Sequence, residues 1–136
     1  MHNARNNTVI IAFALIALLA IACGSGTNND PNSPSGVSKR FVEAARQKDA
    51  KTFKSLLSKK SVASIEKDAK EAGLTADQMI ARVLEQDLFP KGSSAFETRN
   101  EKITGDTATV EFKGGDGKWL QNDLVREDAS WKVTLE

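Results

Sequence analysis

Helices first and strands afterwards is the order of this sequence, and it predicts an α+β fold: N-terminal helices packed on one face of a C-terminal four-stranded antiparallel sheet. Three observations carry that expectation. Apolar residues recur at helical spacing from Val37 to Leu84, Pro90 and Gly92 break that half, and after Ser94 apolar and polar residues alternate with a period of two.

The first helix is set by Val37, Phe41, Ala44 and Ala45, with Ser38 as its expected N-cap. Asp49 caps a second, short helix that buries Phe53, Leu56 and Leu57. Val62, Ile65, Ala69 and Ala72 repeat the spacing until Gly73, a C-terminal stop. Thr75-Ala76-Asp77-Gln78 is a capping box, and Ala76, Met79, Ile80, Val83 and Leu84 form the stripe behind it.

Among the strands, Phe96 to Ile103 is rich in polar residues, which suits an edge. Ala108, Val110 and Phe112 alternate with Thr107, Thr109, Glu111 and Lys113, giving a strand with one buried face. Gly114-Gly115-Asp116-Gly117 connects it to a partner strand over Lys118 to Arg126, and Trp131, Val133 and Leu135 alternate along the last strand. A phosphate cradle at Gly114 to Gly117 is disfavoured, because such a loop needs a helix after it to point its dipole at the anion.

The segment before this domain carries an address. Val9 to Ala22 is apolar throughout and follows a polar start whose one firm positive charge is Arg5. As a helix it would reach roughly 21 Å against roughly 30 Å of hydrocarbon, too short for a comfortable span. The run ends at Cys23, with polar chemistry directly after it, and so resembles a bacterial lipoprotein signal peptide. The lipobox pattern prefers Leu three places before the cysteine, where this chain has Ala20, with Leu19 one place earlier.

That resemblance implies a signal peptide over 1–22 and acylation of Cys23. Each buried methylene contributes about 0.8 kcal/mol, so more than one acyl chain makes a lasting anchor. Residues 23–36 read as the lipidated cysteine and a flexible linker, with the domain over 37–136. The absence of aspartate after Cys23 (Gly24 stands there) favours the periplasmic face of an outer membrane, if the cell has two membranes.

Composition removes several kinds of chemistry. The sequence has one cysteine, one histidine and no tyrosine. With Cys23 in the anchor and His2 in the leader, the domain holds no thiolate, imidazole or phenol, so no metal site or cofactor is expected. Net charge is +1 and falls to zero when Arg5 leaves, which disfavours nucleic-acid binding. Lys39, Arg40, Arg46, Lys48, Lys51, Lys54, Lys59 and Lys60 concentrate basic charge in the first half. They fit the solvated faces of amphipathic helices better than a contact with anionic headgroups, since the apolar residues between them have a core to fill.

A helical pair of the form Val-x-x-x-Phe-Val-x-Ala, then Asp49-Ala50 and Leu56-Leu57-Ser58, resembles the nuclear transport factor 2-like (NTF2-like) superfamily, a cystatin-like α+β architecture. Ile103-Thr104-Gly105-Asp106-Thr107-Ala108-Thr109-Val110 and the closing Ser130-Trp131-Lys132-Val133 extend the likeness over nearly all of 37–136. The nearest resemblance is to small bacterial lipoproteins. Two departures matter: no strand signal between Ser58 and Thr75, where many members insert a hairpin, and a sheet of four strands. Both argue against a deep conical pocket.

Enzymes of that superfamily place tyrosine, aspartate and histidine inside the cone, and none of those motifs transfers. Glu97, Glu101 and Asp123 are the carboxylates on expected strands, with no spacing that pairs them for acid–base work. No catalytic residue is assigned. Trp131 belongs to the core, whereas Trp119 and Leu120 are adjacent, so one of them points outward unless a bulge intervenes. Trp119, with Gln121 and Asp123, is the candidate face for a ligand or partner. The expectation is a lipid-anchored, non-catalytic binding domain for an envelope protein or small molecule; alternatives are a pocket isomerase or dehydratase and a surface spacer.

Overall fold

The computed structural model describes residues 30–86 and 96–135. The leader, Cys23 and the break at Pro90 and Gly92 lie outside the described residues. Four helices precede four strands: α1 (Pro34–Arg46), α2 (Ala50–Ser55), α3 (Lys59–Glu71), α4 (Ala76–Leu84), then β1 (Thr98–Thr104), β2 (Thr107–Lys113), β3 (Trp119–Glu127) and β4 (Ser130–Thr134). The strands form one antiparallel sheet in the order β1-β2-β3-β4.

Each helix starts where a side chain satisfies an orphan N–H. Asp49 accepts from the Thr52 N–H at 3.0 Å, and the Asp49 carboxyl is held below its ordinary value by the Thr52 side chain and then by that backbone contact. In the capping box, Thr75 Oγ1 accepts from the Gln78 N–H at 3.2 Å while Gln78 Oε1 accepts from the Thr75 N–H at 2.9 Å. Gly73, at φ +70°, turns the chain out of α3 as expected.

The start of α1 differs from the sequence reading. Its cap is Ser33, whose Oγ accepts from the Gly36 N–H at 3.0 Å, and Pro34 opens the helix with the fixed φ that the first turn favours. Ser38, expected as the cap, is fully buried inside the helix. Residues 34–36, assigned to the linker, are therefore helical. Polar composition suggested a tether, but Ser-Pro is also a cap followed by an N1 proline.

The core lies between the helices and one sheet face. Val37, Phe41, Val42, Ala44 and Ala45 of α1 meet Ala108, Val110, Phe112, Leu124, Trp131 and Val133 of the sheet, with Phe53, Leu56, Leu57, Ile80 and Leu84 closing the sides. The Phe41 and Phe53 rings stack at 4.4 Å between centroids. Each such aliphatic or aromatic side chain removed from water contributes about 1.5–3 kcal/mol. Leu135, expected to continue the buried face of the last strand, is 43% exposed beyond the end of β4.

The two sheet edges are treated differently. Along β4, Val133 donates its N–H to Leu56 O and accepts from the Ser58 N–H, both at 2.8 Å, so the turn after α2 caps that edge. At the other edge, β1 is interrupted: its pairing with β2 shifts between Arg99 and Lys102, and Asn100 takes φ 53°. Two residues, Asn100 and Glu101, oppose Val110 alone, which is a β-bulge. No helix of the described residues is long and apolar enough to cross a membrane.

Candidate functional site

Trp119 follows the Gly114–Gly117 hairpin and pairs with Lys113, so period-two alternation puts Trp119, Gln121 and Asp123 on the sheet face opposite the helices. Leu120 and the buried Asn122 and Leu124 take the other face. The β2–β3 register is unbroken through Trp119, so the bulge considered there is absent and occurs instead in β1.

That β1 bulge builds the site. It keeps Arg99 opposite Glu111 on the open face while Glu101 reaches the start of α1. The Arg99 guanidinium lies 4.0 Å from the centre of the Trp119 ring, with Lys113 Nζ at 6.0 Å, a cation–π arrangement on a half-buried indole. Arg99 is held by Glu111 at 2.5 Å, and Asn100 Nδ2 donates to the same Glu111 oxygen at 3.0 Å. The Arg99 contact, then Asn100, keeps the Glu111 carboxyl below its usual range. Lys113 pairs with Glu97 at 3.2 Å, and Gln121 Nε2 donates to Asp123 Oδ1 at 2.6 Å.

The three candidate carboxylates do not come together. Glu97 is exposed beside Lys113, and Asp123 is exposed on the open face. Glu101 is half-buried and accepts both the Ser35 N–H at 2.9 Å and the Ser35 hydroxyl at 2.5 Å, so it acts as a second cap on α1. Among the described residues, no group of three or more metal-ligating side chains converges.

Two contributors escaped the sequence reading. Arg99 was legible only as a charge on an edge strand, because its place over Trp119 depends on the bulge. Asn122 carried a signal, a polar residue in the inward register between Leu120 and Leu124. Its Nδ2, like Ser38 Oγ and Arg46 Nε, is buried without a hydrogen-bond partner among the described residues.

No family model matches the sequence, and no curated protein matches it. Among solved structures, the chain is similar to the crystal structure called "Putative NTF2-like transpeptidase" from Campylobacter jejuni. The TM-score is 0.56 at 16% identity, over 76% of this chain and 99% of the other. This is an NTF2-like fold.

In this NTF2-like domain the face between helices and sheet is packed with the side chains of the core. A groove of about 350 Å³ lies elsewhere, lined by Leu57, Lys59, Val62, Glu66, Glu127 and Lys132 among others, where α3 meets the β3–β4 hairpin. It is electrostatically satisfied: both Glu127 oxygens accept the Lys59 N–H at 3.1 Å, and Lys59 Nζ pairs with Asp128 at 2.8 Å. Apart from the half-buried Arg46, the basic residues of the first half are solvated or paired, with Lys54 bonded to Asp77 at 2.9 Å. Among the described residues no helix covers the second face of this NTF2-like sheet, and Trp119 stands on it.

Proposed function

We propose that the protein is a membrane-anchored envelope lipoprotein whose NTF2-like domain is a non-catalytic binding module. It engages a partner protein or small ligand through the open sheet face bearing Trp119, Gln121 and Asp123. The observation that carries the binding reading is Trp119: a half-buried indole on an open face, with a guanidinium 4.0 Å from its ring. Tryptophan and arginine are enriched among the residues that carry most of the binding energy at interfaces, and tryptophan offers its large area at low entropic cost.

The anchor rests on the sequence around Cys23. The name of the Campylobacter protein refers to transpeptidation. Described residues here contain no cysteine or histidine, and their carboxylates lie at or near the surface. A non-catalytic module accounts for that chemistry more simply than a nucleophilic enzyme.

The test is photo-crosslinking of the full-length protein in its own envelope. The wild type captures a partner that Trp119→Ala loses, while Ala63→Gln, in the α3 groove, keeps it. Loss with Ala63→Gln and retention with Trp119→Ala would move the binding site to that groove.

A further inference from the structure

The cap of α1 draws on residues that lie before the expected start of the domain at Val37. Ser33 donates both its N–H and its hydroxyl to Asp30 O, at 3.0 and 2.7 Å. Gly36 is packed so tightly on this turn that a Cβ there would clash with the backbone of Asp30 and Pro31. The cap of α1 thus draws on Asp30, which the six residues Gly24 to Asn29 separate from Cys23 in the sequence. Six residues of Gly/Ser-like composition reach roughly 13 Å, against about 20 Å for thirteen.

This leash ends at a defined corner. Ser35 is bonded to Glu101 of β1, and Ile103 lies two residues further along the same strand face. Ile103 is 51% exposed, the most exposed large apolar side chain among the described residues. Lys39 and Arg40, exposed on α1, follow Ser35 by about one helical turn, and Lys102 is exposed beside Ile103. Glu43 and Asp30 offset part of that charge, so a short leash and an apolar contact, not a polybasic patch, define the corner.

We propose that this corner, the start of α1 and the end of β1, rests on the phospholipid surface with Ile103 in the headgroup layer; the proposal rests on the reading that Cys23 carries the anchor. Trp119 is then held away from the bilayer. Ile103 pairs with Ala108 and Trp119 with Lys113, five residues further along β2, a separation of about 17 Å. The corner faces lipid, and the binding face stays open to partners.

The test uses the acylated protein. Because Cys23 is the only cysteine and its sulfur is acylated, Ile103→Cys or Gly115→Cys supplies a single free thiol, both at exposed positions. Each is labelled with an environment-sensitive fluorophore in vesicles of phosphatidylethanolamine and phosphatidylglycerol with brominated chains. The label at 103 is quenched and the label at 115 is not, and doubling the leash by repeating Gly24 to Asn29 reduces quenching about threefold. Equal quenching at both positions, in protein whose intact mass shows acyl chains, overturns the proposal and leaves the lipoprotein reading standing. Wild-type protein purified from membranes without acyl chains overturns both.

Discussion

The Ser61 hydroxyl oxygen accepts the backbone N–H of Leu135 at 2.8 Å, tying the start of α3 to the end of the chain. The same hydroxyl lies 2.9 Å from that of Ser58, the α3 cap, and Ser58 donates its N–H to Val133 O. Two serines thus cap a helix and seal a sheet edge together. An open β4 edge would present N–H and C=O groups to other chains, and this arrangement covers it.

Ser61→Ala removes a buried acceptor and leaves the Leu135 N–H and the Ser58 hydroxyl short of a partner. Urea unfolding should show a loss of about 1–3 kcal/mol, the cost of leaving buried polar groups unsatisfied. A midpoint equal to wild type would mean that water replaces the hydroxyl without cost.

Gly36→Ala places a methyl group against backbone at Asp30 and Pro31, which cannot yield as a flexible side chain would. Overpacking of this kind costs about 1–3 kcal/mol. Glu101→Ala acts on the same corner by removing the acceptor for both Ser35 donors. Thermal melts of both variants should fall below wild type, and limited proteolysis should reach Asn32 sooner. Unchanged melts would detach residues 30–36 from the fold.

The helices and strands of this domain were legible because their signals are local: Asp49 and Thr75 cap by their own side chains, and Val110 and Phe112 alternate with polar neighbours. The start of α1 was misplaced because Ser33, Ser35 and Ser38 are equally good caps in isolation. Ser33 is selected by Pro34, by the Gly36 contact and by Glu101, sixty-six residues from Ser35. The candidate face was legible in part, since alternation put Trp119, Gln121 and Asp123 together. Arg99 joins them only through a bulge, and no local pattern in Arg99-Asn100-Glu101 announces one.

Acid should weaken the open face. Glu111 is held below its ordinary value by Arg99, and Asp128 by Lys59. A depressed folded-state pKa gives stability that is present above the unfolded value and lost as pH falls through the folded one, so the loss lies below about pH 4. Lys59 is raised by Asp128, so its share persists through neutral pH and is lost only above about pH 10. Denaturation midpoints followed from pH 6 downward, in steps of about half a unit, should show a shallower acid slope in Glu111→Gln than in wild type. Identical slopes would remove Arg99–Glu111 as a contributor.

The two tryptophans should separate cleanly. Trp131 is buried under Arg126, whose guanidinium lies 4.5 Å from its ring, and Trp131→Ala should cost about 3–5 kcal/mol. Trp119→Ala, on the open face, should cost less than about 1 kcal/mol while removing the acrylamide-accessible part of the fluorescence. A large stability loss at Trp119 would make it a packing residue and weaken its role in binding.

Labelled palmitate supplied to cells making the full-length chain, followed by membrane fractionation, tests the anchored binding module most directly. The label should enter wild-type protein in the membrane fraction and be absent from Cys23→Ala, which should leave the membrane. Equal labelling of the two, or a wild type recovered unlabelled and free of the membrane, would contradict the account at its base.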